Sequence, residues 1–160
     1  VKAVLGLGGN LGNREENMAA AVEGLEKLPK TRVLAMSNLY ETAAFDVASP
    51  QPDYLNCCVL VETKLAPEEL LERCLALETK LGRVRTEYHG ARTVDIDLLL
   101  YEGCERATER LTVPHPRIRE RAFVMMPLSD LFPGCAAGVF GFDFREAYQK
   151  ADKGGVRLYK

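Results

Sequence analysis

Arg92-Thr93-Val94-Asp95-Ile96-Asp97-Leu98-Leu99-Leu100-Tyr101 decides the reading of this chain, because it sets two carboxylates two residues apart inside an otherwise apolar run. The run predicts a strand over 93–101. Side chains in a strand alternate faces, so Asp95 and Asp97 share one surface while Val94, Ile96, Leu98 and Leu100 point the other way into a core. Two neighbouring anions repel unless something positive sits between them. Hard oxygen ligands on a rigid strand suit Mg²⁺, which takes one or two carboxylates and completes its octahedron with water and substrate phosphates. The competing reading is a half-solvated strand whose acids face water.

Upstream of this strand the pattern alternates between strand and helix. Residues 2–9 read as a strand closed by the turn Gly8-Gly9-Asn10-Leu11-Gly12. Asn13 and Glu16 resemble a capping box and open a helix ending at Pro29, with Met18, Ala21, Val22, Leu25 and Leu28 at helical spacing. Residues 32–42 and 54–64 alternate as strands, with a long loop containing Ser49-Pro50-Gln51-Pro52-Asp53 between them. Pro67, Glu68 and Glu69 start a second helix, whose apolar stripe runs through Leu70, Leu71, Cys74, Leu77 and Leu81 to Gly82. The order strand, helix, strand, strand, helix, strand predicts an α+β, ferredoxin-like βαββαβ fold: an antiparallel sheet with both helices on one face. A C-terminal extension follows, with a short strand at 111–113, partly helical structure over 117–131 and a weak helix near 143–152. It is expected to cover part of the free face or to extend the sheet.

The chain has 160 residues, 47% of them hydrophobic, and no Pro/Gly/Ser linker, so residues 1–160 are expected to form a single domain. A net charge of −2 offers no general electrostatic footprint for nucleic acid or an anionic membrane, so any phosphate recognition must be local. The five cysteines form no C-x-x-C pair, and adjacent Cys57 and Cys58 face opposite ways, which predicts free thiols in a reducing cytosol. With only His89 and His115 beside them, a zinc site is not expected. No apolar run reaches the ~20 residues of a membrane span and no charged-then-apolar leader precedes the first strand, so the expectation is a soluble, cytoplasmic protein.

Local phosphate recognition has an obvious source. Eight arginines and no lysine lie between Gly82 and Arg121, at positions 83, 85, 92, 106, 110, 117, 119 and 121. Arginine's planar fork grips phosphate oxygens in pairs, whereas lysine is a point charge. Around an Asp-x-Asp strand this points to a polyphosphate bridged by metal, with Arg83, Arg85 and Arg92 as the stronger candidates and Arg117 and Arg119 as the weaker. About half of the arginines are expected only to pair with Glu87, Glu102, Glu105, Glu109 and Glu120. Glu78 lies on the edge of the second helix's apolar stripe and suits a ligand or a snorkelling surface role. Pro114-His115-Pro116 holds a histidine in stiffened backbone, as a donor to phosphate or as a rigid turn. Tyr54 and Asn56 share a face of the third strand, where a phenol and an amide suit a flat heterocycle; a half-buried tyrosine beside a satisfied asparagine is the plainer alternative. Phe123 reads as core or pocket wall. Gly6-x-Gly8 lacks a third glycine at Leu11 and the ending of a P-loop, so neither nucleotide motif is met.

Taken together, these motifs resemble the 6-hydroxymethyl-7,8-dihydropterin pyrophosphokinase family of folate biosynthesis. Those carrying the likeness are Gly6-Leu7-Gly8-Gly9-Asn10-Leu11-Gly12, Tyr40-x-Thr42, Gln51-Pro52-Asp53-Tyr54-Leu55-Asn56, Gly82-Arg83-Val84-Arg85, Gly90-Ala91-Arg92-Thr93-Val94-Asp95-Ile96-Asp97, Arg110-Leu111-Thr112-Val113-Pro114-His115 and Arg121-Ala122-Phe123-Val124. The Arg-Thr-x-Asp-x-Asp strand is the specific signature. The resemblance implies ATP-dependent transfer of a pyrophosphoryl group to the pterin's hydroxymethyl group, leaving AMP. It implies that Asp95 and Asp97 hold two Mg²⁺ ions and that Arg83 and Arg92 stabilise the transferring group. Glu78, Arg85, Ile96, Leu98, Arg110, Thr112, His115 and Arg121 would surround ATP. Thr42, Ala43, Phe45, Tyr54, Asn56, His89 and Phe123 would line the pterin pocket, and the loops 43–53 and 83–92 would close over the substrates as lids. The partners implied are ATP and the pterin alone, on a monomer, with no nucleic acid and no membrane. The chain departs from the family at Ala43, Ala44 and Ala91, where proline is common, at His89 in place of an aromatic ring, at Leu75 in place of glutamine, and at Pro116. Two rivals share the βαββαβ order: an RNA-binding module, which needs stacked aromatics that Tyr54-Leu55-Asn56-Cys57-Cys58-Val59-Leu60-Val61 does not supply, and a regulatory small-molecule domain, which needs neither the acid pair nor the arginines.

Overall fold

In the computed structural model, which describes residues 1–10, 12–42, 53–82 and 94–159, the apolar alternation of the sequence becomes a sheet with a core on each face. Strand β1 (Lys2–Gly9) leads to helix α1 (Arg14–Glu26), whose first turn is capped by Asn13 Oδ1 accepting the Glu16 N–H at 3.1 Å. Strands β2 (Thr31–Met36), β3 (Tyr40–Thr42) and β4 (Tyr54–Thr63) follow, then helix α2 (Pro67–Leu81) with proline in its first turn, and strand β5 (Asp95–Tyr101). β4, β1 and β5 lie side by side, all antiparallel, and β2 and β3 share the far edge of β4. This is the expected ferredoxin-like arrangement.

On one face Leu5, Leu7, Leu55, Cys57, Val59, Ile96 and Leu98 pack against Met18, Ala21 and Leu25 of α1 and Leu70, Cys74 and Leu77 of α2. The helices approach closely at Gly24, where a Cβ would lie 2.6 Å from Leu77 Cδ1. α1 stops at Glu26, one turn before the expected Pro29.

Two expectations need correction. The predicted strand 32–42 is two strands, because the chain turns out at Ser37: its hydroxyl accepts the Cys58 N–H at 2.9 Å, and the Asn38 N–H is taken by Asp130 at 3.0 Å. Leu100 does not follow Ile96 and Leu98. The β1–β5 register slips between Val4 and Leu5, leaving Leu99 as an extra residue, and that insertion turns Leu100 to the opposite face. The C-terminal extension covers the face without α1 and α2. After a small hairpin, β6 (Arg106–Ala107) with β7 (Thr112–Val113), a 3-10 turn at Ile118–Glu120 and helix α3 (Ala122–Leu131) cross it. The hairpin β8 (Ala136–Ala137) with β9 (Phe142–Asp143) and helix α4 (Arg145–Lys150) complete the layer. Val4, Cys58, Leu99 and Leu100 pack there against Ile118, Met125, Leu128, Phe142 and Phe144. The last strand, β10 (Val156–Leu158), pairs with β3 and widens the sheet, so the extension does both things foreseen for it.

All five cysteines are free; Cys57 and Cys58 do face opposite cores, and burial pushes the Cys57 and Cys74 thiols up to about 12. Among the described residues no helix is long and apolar enough to cross a membrane.

Candidate active site

The site begins with a gap in the side chains of β1. Gly6 pairs with Cys58 on one side and Asp97 on the other, and Gly8 pairs with Asn56 and Asp95. Side chains directly across a ladder share a face, so the two glycines form a bare floor between Asn56 and the aspartates. A Cβ on Gly8 would lie 2.6 Å from Asn56 Oδ1. Above this floor opens a cavity of about 350 Å³, lined by Gly6, Gly8, Thr42, Tyr54, Asn56, Asp95, Asp97, Leu99, Arg121 and Phe123 among others. Buried Asn56 donates to Thr42 Oγ1 at 3.3 Å. Among the described residues that is its one side-chain bond, which leaves a carbonyl oxygen and a second N–H for a ligand. The Arg121 guanidinium lies 5.6 Å from the centre of the Phe123 ring.

A second cavity, of about 510 Å³, adjoins on the other side of the same strand end. Leu71, Leu75, Glu78, Asp95, Ile96, Asp97, Leu98, Arg110, Thr112, His115 and Pro116 line it. Asp95 and Asp97 thus stand on the wall common to both cavities. Glu78 Oε2 accepts the Ile96 N–H at 2.6 Å, which fixes the backbone between the two aspartates. Burial lowers the pKa of His115, with the charge of Asp97 opposing the effect and Arg121 and Arg117 adding to it. Its Nδ1 accepts the Arg117 N–H at 3.2 Å, so the hydrogen-bond pattern assigns the proton to Nε2.

The expected site residues therefore gather in two groups. Glu78, Ile96, Leu98, Arg110, Thr112 and His115 stand with the aspartates in the second cavity, together with Leu75 and Pro116. Thr42, Tyr54, Asn56 and Phe123 stand with them in the first, and Arg121, foreseen beside the nucleotide, lines this one. Arg83, Arg85, Arg92, Ala43, Phe45 and His89 lie outside the described residues. Arg117 pairs with Glu120 at 3.2 Å, as expected, whereas Arg106 pairs with Glu68 at 2.7 Å and Arg110 with Glu72, both acids on α2 and outside the expected set. Arg119 instead lies over the Phe142 ring at 4.2 Å and donates to the Asp143 carbonyl. Sequence reasoning missed Gly6 and Gly8 as the pocket floor. Their signal, a G-x-G step in a strand, gains meaning only when the cross-strand partners are known.

As a donor set, the aspartates supply two carboxylates on one strand face, and no cluster of three or more His, Cys, Asp and Glu side chains suited to a metal occurs among the described residues. Two carboxylates beside an open cavity fit an ion such as Mg²⁺ that takes its remaining ligands from water and phosphate.

Comparison with known proteins agrees with this geometry. The family model described as 7,8-dihydro-6-hydroxymethylpterin-pyrophosphokinase matches residues 4–133. A 2-amino-4-hydroxy-6-hydroxymethyldihydropteridine pyrophosphokinase of Methylorubrum extorquens is 44% identical over 155 residues, covering 97% of this chain and 96% of the relative. The protein of the same description from Synechocystis is 43% identical, over 82% of this chain and 66% of its own length. A solved HPPK-DHPS structure in complex with substrates shares the fold, with a TM-score of 0.65 at 13% identity over 92% of this chain, which spans 42% of that longer chain. The chain belongs to the 7,8-dihydro-6-hydroxymethylpterin-pyrophosphokinase family.

Proposed function

We propose that the two adjoining cavities divide the substrates of the family's reaction, with Asp95 and Asp97 at the boundary where the group is transferred. The reaction is ATP-dependent transfer of a pyrophosphoryl group to the hydroxymethyl group of 6-hydroxymethyl-7,8-dihydropterin, in folate biosynthesis. The observation that carries the assignment of residues is that, among the described residues, these two acids and no other charged side chains line both cavities.

In the first cavity Asn56 bonds the edge of the pterin ring, Thr42 holds the Asn56 amide in place, and Tyr54 and Phe123 offer ring faces to stack on. In the second, Arg110, Thr112, His115 and the backbone around Ile96 and Leu98 surround ATP, and His115 contributes its Nε2–H as a donor. Moving the β- and γ-phosphoryl groups together requires the pterin oxygen to attack the β-phosphorus in line. A bond from that oxygen to the β-phosphorus forms, the bond from the β-phosphorus to the oxygen bridging it to the α-phosphorus breaks, AMP leaves with that oxygen, and the hydroxyl proton passes to solvent. Asp95 and Asp97 would hold two Mg²⁺ ions, which when bound supply neutralisation of phosphate charge. Glu78 keeps the strand between the aspartates fixed, and Arg83 and Arg92 carry the transferring group's charge. Residues 1–160 act as one domain and as a monomer, and five free thiols fit a reducing, cytoplasmic setting.

The test is turnover by Asp97→Ala with ATP, Mg²⁺ and the hydroxymethyl pterin, read as AMP formed. We expect a loss of at least about 10³-fold, with a melting temperature close to that of the parent, because the acid faces a cavity and not a core. Near-normal AMP formation by the folded variant rejects the assignment.

A further inference from the structure

A second set of charges gathers where β3 ends and β4 begins, at the rim of the first cavity. Arg14 Nη1, at the start of α1, donates to Glu41 Oε2 at 2.7 Å and to the Asp53 carbonyl at 2.8 Å. Arg157 Nη2, from β10, donates to Glu41 Oε1 and to Asp53 Oδ2, both at 2.8 Å. Two guanidiniums thus share one carboxylate, and one of them also binds the second. Glu41 directly precedes Thr42 and Asp53 directly precedes Tyr54, and Thr42 and Tyr54 are cross-strand partners on the cavity wall.

The ladder that holds those partners is short. β3 pairs with β4 at three positions, Tyr40 with Asn56, Glu41 with Leu55 and Thr42 with Tyr54, and β10 adds three more on the outer edge. Strands of this length are marginal without outside support. That support comes from the tail: the Tyr159 N–H donates to the Leu39 carbonyl at 2.8 Å, its hydroxyl bonds Glu15 Oε1 at 3.1 Å, and its ring lies 5.3 Å from the Arg14 guanidinium. Glu41 is only 16% exposed, so its two ion pairs are screened less than ordinary surface pairs.

We propose that Arg157, with Arg14, is a positioning residue for the pterin cavity, clamping the Glu41 and Asp53 stems so that Thr42 and Tyr54 keep their register. The proposal rests on the reading of that cavity as the pterin site. Without Arg157 the Glu41 and Asp53 oxygens, now both bonded to a single nitrogen, face each other with one cation fewer and repel. The three-pair ladder then loosens at the end that carries Thr42 and Tyr54. One nitrogen serves both acceptors, so the ammonium of a lysine is able to replace it, which a role in packing or in bidentate recognition would not allow.

The experiment compares the parent with Arg157→Ala and Arg157→Lys. Arg157→Ala is expected to raise KM for the pterin by about fivefold, leaving kcat and KM for ATP within about twofold, and Arg157→Lys to restore the pterin KM to within about twofold of the parent. Amide exchange at 40–42 and 54–56 is expected to quicken by about tenfold in Arg157→Ala and not in Arg157→Lys, with the β1 and β5 amides unchanged. Unchanged exchange, equal rises in both KM values, or no rescue by lysine overturns the clamp. AMP formation by the parent tests the functional reading separately: its absence would reject that reading and the pterin role with it, while the exchange arms still decide the clamp. If Arg157→Ala does not fold, Glu41→Gln, which removes the shared anion, is expected to show the same KM and exchange changes.

Discussion

At Gly8 one methyl group decides whether Asn56 keeps its place. The Asn56 amide is short, buried and bonded to Thr42 Oγ1, so it has little room to yield to a Cβ that would stand 2.6 Å from its oxygen. In Gly8→Ala the amide swings off the strand and its bond to Thr42 breaks. The pterin KM is expected to rise by about tenfold and stability to fall by about 1–3 kcal/mol, the cost of overpacking a tight site. Steady-state kinetics with the pterin varied, beside a urea titration, read the two effects; an alanine variant with parental KM would show that Asn56 does not need its observed position. The same residue marks how far the sequence was legible. Gly6-x-Gly8 is correctly dismissed as a dinucleotide fingerprint by its missing third glycine, yet its role as a floor depends on Asn56, Cys58, Asp95 and Asp97 lying across from it. Asp95 and Asp97, by contrast, declare themselves locally, since the spacing of two residues and the period of a strand are both properties of one short segment.

Among the elements, α3 and the β2–β3 corner are joined by one carboxylate. Asp130 accepts the Tyr40 hydroxyl at 3.0 Å and the Asn38 N–H at 3.0 Å, and Tyr40 stands in β3 two residues before Thr42. Burial, then the bond to Asp130, raises the Tyr40 phenol to about 12 from an ordinary value of 10.0. The folded chain therefore holds that proton where the unfolded chain has lost it, so this contribution to stability is intact below pH 10 and is lost as pH rises through 12. Tyr40→Phe is expected to cost about 1–2 kcal/mol at pH 8, the worth of a hydrogen bond to a charged acceptor. It is also expected to flatten the decline in stability between pH 10 and pH 12, the remainder belonging to Tyr101 and to the Cys57, Cys58, Cys74 and Cys135 thiols, all of which burial also raises. Urea midpoints for both proteins across that range check it, and parallel declines would contradict it. This tie explains why the sequence pattern over 32–42 misled. Ser37 and Asn38 interrupt the apolar pattern only briefly, and nothing within eleven residues announces that an acid 92 positions away will draw the Asn38 N–H out of the ladder. The slip at Leu99 was hidden for the same reason, because a bulge is a relation between two strands while Leu98-Leu99-Leu100 is uniformly apolar on either register.

Across the whole molecule the sheet is a partition between two cores, and the second core depends on chain beyond the segment that matches the family. That match ends at 133, yet Cys135, Ala137, Phe142 and Phe144 are buried against Val4, Leu99, Met125 and Leu128, and β10 covers the edge of β3. Removing residues 134–160 would expose the apolar faces of α3 and β5 and at the same time take Arg157 away from the Glu41 and Asp53 stems of the first cavity. Phe144 alone is 1% exposed, and Phe144→Ala is expected to cost about 3–5 kcal/mol. Against a net stability of about 5–15 kcal/mol for a domain, losing Phe142 with it leaves little margin. A chain ending at Pro133 is therefore expected to keep helical far-ultraviolet dichroism from α1 and α2 while losing its near-ultraviolet signal, its cooperative transition and most of its turnover, and to bind a fluorescent apolar dye. A truncated chain that melts cooperatively within about 5 °C of the parent, a shift worth only about 1–2 kcal/mol in a protein of this size, would show that the first core suffices to hold the sheet.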